Sequence, residues 1–123
     1  MIRGIYIAPE QNEARERYVN DIAEIKEILG CSVLGYMRSS AAGCPVLVAH
    51  DDSAWKKEGL RVSAVNRTGA SLITGKIFVM GCDGLGECDS LSAEQLSSIF
   101  DEVIHYEYGK NEECCCIRLL GEL

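Results

Sequence analysis

Ile77-Phe78-Val79-Met80 is the most apolar run in the chain, and the segments that follow it decide the fold. Four consecutive large apolar side chains on a strand point alternately to its two faces, so the run predicts a central strand covered on both sides. After it, residues 83–90 read as a glycine-rich acidic loop, and Ser92-Ala93-Glu94-Gln95 has the spacing of a helix-opening capping box. Leu96, Ile99, Phe100, Val103 and Ile104 then recur with a period near 3.6, which predicts a helix over about 92–106.

Upstream, residues 2–8 alternate as a strand that stops at Pro9, and 10–20 are charged enough to suit a surface connection. Asp21 to Glu24 has capping-box spacing with Asp in the capping position. Ile22, Ile25, Ile28 and Leu29 make an apolar stripe ending at Gly30, so a short amphipathic helix is expected over about 21–29. Residues 31–38, 45–50, 61–66 and 71–74 read as further strands separated by turn chemistry, with Arg67-Thr68-Gly69-Ala70 as one such turn. Their connections are too short for repeated helical crossovers. The expectation is an α+β fold: a single small domain, a mainly antiparallel sheet of five to six strands, and two main helices. Its expected extent is 1–106, with 107–113 an acidic linker and 114–123 a cysteine-rich tail that adds an edge strand or stays mobile.

The length of 123 residues suits one domain that buries roughly two thirds of its unfolded surface. Nineteen acidic against twelve basic residues give a net charge of −7, which argues against coating DNA or binding an anionic membrane. No apolar run approaches a bilayer span, and no signal-peptide core opens the chain, so a cytoplasmic protein is expected. The seven cysteines are odd in number and three are adjacent, against a secreted disulfide framework. No C-x2-C knuckle is present, so no metal site is expected. Cys31, Cys44 and Cys82 read as small buried hydrophobes, whereas Cys114–Cys116 read as partly exposed near the end of the chain.

Catalytic signatures are absent: there is no G-x-S-x-G elbow, no H-E-x-x-H helix and no lysine-ended phosphate loop. His50-Asp51-Asp52, where a histidine neighbours carboxylates, reads as a strand end running into a turn. No cofactor and no enzymatic activity are expected. Charge distribution carries more information. Residues 83–113 hold nine acids against Lys110, whereas 36–76 hold six bases against three acids. A basic middle in an acidic chain suits a small anion more than a nucleic-acid polymer. Tyr36 and Arg38 share a strand face by period-two alternation, offering a ring and a guanidinium. Asn66 and Arg67 at a strand end add an amide and a second guanidinium, and these four are the candidate ligand-binding residues.

Asn66-Arg67, then Ile73-x-Gly75-x-x-Phe78-Val79-x-Gly81, then Ser90-Leu91-Ser92-x-Glu94-Gln95 carry a resemblance. The pattern is similar to a family of small domains of unknown function encoded by phages and mobile elements of bacteria. Val65 stands where that family often has proline, and the cysteine-rich tail departs from it. The resemblance implies a small accessory protein in a bacterial host cytoplasm and no established activity. By analogy with that setting, sequestering a nucleotide-derived immune signal is one concrete version of the small-anion role, and homo-oligomers are expected through exposed strand edges. The alternative is an acidic protein-interaction or DNA-mimicking antirestriction factor that uses 83–113, with an unrecognised enzyme third.

Overall fold

The structure is a computed structural model and describes residues 1–121. The apolar run becomes β7 (Ile77–Cys82), flanked by β1 (Ile2–Ala8) on one side and β4 (Cys44–Asp51) on the other. Beyond these, β2 (Glu13–Val19) pairs β1 and β3 (Leu34–Ala41) pairs β4, while the short β8 (Cys88–Asp89) folds back on the end of β7. Every pairing in this sheet is antiparallel.

Alternation explains why β7 is apolar throughout. Ile77 and Val79 join Ile5, Ile7, Val46 and Val48 in one core, and Phe78 and Met80 join Tyr6, Ala8, Leu47 and Ala49 in the other. α1 (Ile22–Leu29) closes the second core with Ile25 and Leu29. Its N-terminus is capped as its sequence predicts: Asp21 Oδ1 accepts from Glu24 N at 2.9 Å, and Glu24 Oε2 accepts from Asn20 N at 2.8 Å. Gly30 ends it with φ of 65°.

The first core is closed by a second sheet, with β5 (Val62–Val65), β6 (Ser71–Thr74), β9 (Val103–Glu107) and β10 (Glu113–Arg118) in the order β6-β5-β10-β9, together with α2 (Ala93–Phe100). β10 runs parallel to β5 and antiparallel to β9. The fold is therefore a single α+β domain whose larger sheet is antiparallel and covered on both faces. No helix among the described residues is long and apolar enough to cross a membrane.

Three segments differ from the sequence reading. Residues 13–19 form an edge strand, its charged side chains protecting an open edge from further pairing. The helix expected to reach 106 ends at Phe100, although its start is the predicted capping box between Ser92 and Gln95. Val103 and Ile104 continue the helical spacing but pair with Ile117 and Cys116, and β-branched residues gain more from that ladder than from another helical turn. The expected tail is instead the interior of the second sheet: Cys114, Cys115, Cys116 and Ile117 are 2%, 0%, 2% and 0% exposed. Burial, followed by the neighbouring thiols, pushes the Cys115 thiol up to about 11. The burial of cysteines is thus inverted, because Cys31, Cys44 and Cys82 are only half-buried.

The β3–β4 hairpin closes from Ala41 to Cys44 through Ala42 and Gly43, both with positive φ, at 52° and 77°. Both central residues of this two-residue turn are left-handed, a conformation in which the Ala42 Cβ is strained and for which Asn-Gly is preferred. Ala42→Asn is expected to stabilise the protein by about 1 kcal/mol. Urea denaturation checks it: a midpoint unchanged or lowered by the substitution contradicts the strain.

Candidate anion-binding site

After β5 the chain turns sharply, and Asn66 makes the turn. Its Oδ1 accepts from Thr68 N at 3.0 Å, Thr68 Oγ1 at 2.7 Å and Ala70 N at 2.9 Å. The side-chain oxygen is thereby committed to the loop, so Asn66 acts as a clamp on its own turn and does not offer that oxygen to a ligand. The turn presents Arg67 into a hollow of about 600 Å³.

Another part of the wall comes from the end of β10. Arg118 N donates to Glu102 O, Leu119 N to Val65 O and Leu120 N to Ser40 O, at 2.9, 2.8 and 2.9 Å. Three successive residues thus stitch the α2–β9 connection, β5 and the edge strand β3 together at the junction of the two sheets. Arg118, Glu102, Leu119 and Leu120 line the hollow with Arg67, and Ser40 and the Ala42-Gly43 turn complete it.

Two guanidinium groups and one carboxylate therefore share the space. Arg118 Nη1 lies 3.9 Å from Glu102 Oε2, a loose contact between partly exposed side chains, and Arg67 has no ion pair among the described residues. An exposed pair of this kind contributes little, so Arg118 is available to an incoming anion. Planar guanidinium forks bind phosphate or carboxylate oxygens in bidentate fashion.

No protein-family model, curated protein or solved structure matches this chain.

Tyr36 and Arg38 share a face, as period-two alternation predicts, lying opposite Ala49 and Leu47 of β4. That face belongs to the core closed by α1, and β3 and β5 sit in different sheets and do not pair. The hollow lined by Arg67 includes neither Tyr36 nor Arg38, so the four candidates separate into two places. Arg38 packs its guanidinium under Gly86, where a side chain would collide with it. Tyr36 is half-exposed, and burial, then the thiols of Cys88 and Cys31, push its phenol up. Arg118 and Glu102 are the site residues that sequence reasoning missed. The available signal was a lone arginine ending an apolar run, hidden by the reading of that run as a tail.

Two other charged places are internally compensated. Asp51 Oδ1 accepts from Ser53 N at 2.9 Å and Ser53 Oγ at 2.8 Å, and its Oδ2 accepts from Lys57 Nζ at 2.6 Å. Burial raises this carboxyl, but the bonds from Lys57 and Ser53 outweigh it and hold the group below the usual carboxylate range. Asp51 is thus engaged by Ser53 and Lys57, and among the described residues it makes no hydrogen bond to His50. Within the acidic stretch, Glu112 Oε2 lies 3.0 Å from Arg61 Nη2, and the Arg61 guanidinium sits 3.7 Å from the centre of the Tyr108 ring. The stretch is therefore partly compensated by bases from elsewhere in the chain. Among the described residues no cluster of His, Cys, Asp and Glu is arranged to hold a metal ion.

Proposed function

We propose that this protein is a non-catalytic binding module for a small anion, held between Arg67 and Arg118 at the junction of its two sheets. The observation that supports this reading is the hollow itself. It is large enough for a nucleotide-sized molecule, carries an excess of one positive charge, and contains a guanidinium with no ion pair among the described residues. Leu119 and Leu120 supply an apolar wall beside the two forks. A phosphate or carboxylate on a small organic body is the chemistry that matches these parts. The phage-type resemblance adds a biological setting: an accessory protein in a bacterial cytoplasm that sequesters a nucleotide-derived signal. Homo-oligomers formed through the outer strands β6 and β9 belong to the same proposal.

Calorimetry against inorganic phosphate, mononucleotides and cyclic nucleotides tests it. Arg67→Ala and Arg118→Ala are each expected to weaken binding about tenfold to a hundredfold, since a hydrogen bond to a charged group is worth about 1.5–3 kcal/mol. Tyr36→Ala and Arg38→Ala are expected to leave the affinity unchanged. Wild-type protein that binds none of the panel, or binding indifferent to both arginines, overturns the proposal.

A further inference from the structure

The connection between β7 and β8 is a tight hairpin. Asp83 N donates to Glu87 O at 2.9 Å, Gly86 N to Asp83 O at 3.0 Å, and Gly86 takes a φ of 80°. This is a turn closed by a glycine bulge, and Asp83 and Glu87 form its hydrogen-bonded base. The next pair along the ladder is Cys82 opposite Cys88. Because ladder pairs alternate, it is a non-hydrogen-bonded pair, in which the two Cα atoms lie about 4.5 Å apart with their side chains on one face. A disulfide spans Cα separations of about 4.4–6.8 Å, so this pair can be bridged without moving the backbone. Both thiols are half-buried and free, and both pack at the edge of the core closed by α1.

We infer that Cys82 and Cys88 form a reversible disulfide when the protein meets a peroxide. One thiolate attacks a peroxide oxygen, the O–O bond breaks, and the sulfur becomes a sulfenic acid as water leaves. The second thiolate attacks that sulfur, forms the S–S bond and releases a second water. Two thiols lose two electrons and two protons, and the peroxide is reduced to two waters. The bond ties the base of the 83–87 loop, which rests on the Arg38 guanidinium through Gly86. Cys114, Cys115 and Cys116 are excluded from this chemistry by their burial.

Trypsin separates the alternatives, because residues 77–110 contain Cys82 and Cys88 and no other cysteine, and residues 27–38 contain Cys31 alone. The reduced protein is treated with hydrogen peroxide, its remaining thiols are alkylated under denaturing conditions, and the digest is weighed. The expected product is the 77–110 peptide, unalkylated and lighter by two hydrogens than its reduced form, with dithiothreitol restoring both alkylation sites. In Cys88→Ser the loss of two hydrogens disappears. A link joining 27–38 to 77–110, a disulfide between two molecules, or two cysteines that stay free or oxidise separately overturns the inference.

Discussion

A chain shortened to end at Glu107 is expected to lose its fold altogether. The deleted segment carries β10, the strand that joins β5 to β9, and with it Cys114, Cys115, Cys116, Ile117 and Leu119, each at most 2% exposed. Burying one large aliphatic side chain is worth about 1.5–3 kcal/mol, against a net stability of about 5–15 kcal/mol for a whole domain. The loss also strips ladder partners from β5 and β9 and uncovers the core shared by the two sheets. Unpaired backbone groups and exposed apolar surface then act together. Near-ultraviolet circular dichroism and thermal melting of residues 1–107 check it. A cooperative, native-like melt would show instead that 1–106 is a domain in its own right.

Phe78→Ala is expected to cost about 3–5 kcal/mol, the range for truncating a fully buried aromatic. Phe78, the second residue of the central strand, is 0% exposed. Its ring lies across Gly4 of β1: a Cβ placed on that glycine would sit 2.6 Å from Phe78 Cζ and would also collide with the Val79 carbonyl oxygen. Glycine is there because the ring takes the space a side chain would fill. Once the ring is removed, Gly4 has nothing with which to fill the void, so relaxation is limited. The urea midpoint should fall steeply with an unchanged slope. A loss below about 1 kcal/mol would mean that the cavity collapses, contrary to the packing described.

Some elements were readable because the interactions that make them are local. The two capped helix starts, at Asp21 and Ser92, depend on side chains three or four residues away. The two-sided burial of 77–80 follows from four adjacent apolar residues and a strand's period of two. Tyr36 and Arg38 share a face for the same reason. Where two local tendencies competed, sequence could not choose. Val103 and Ile104 extend a helical stripe and equally suit a strand, and the presence of β10 beside them decides the matter.

The candidate site shows the same division. Sequence alone supplied Arg67 and the expectation of a small anion, since charge and turn chemistry are read from the chain itself. It also determined the strand-rich α+β class, the helix starts and the double-sided central strand. Tertiary structure decided that Arg118 lines the same hollow as Arg67, that Asn66 is spent on its own turn, and that Tyr36 and Arg38 lie on another face. It decided, too, that the last strand is the inside of a sheet and not a tail. Ile117 pairs with Ala64 across more than fifty residues of chain, and a contact that distant leaves no local period or cap to mark it. Its free energy comes from ladder bonds and buried surface that exist only once both sheets are assembled.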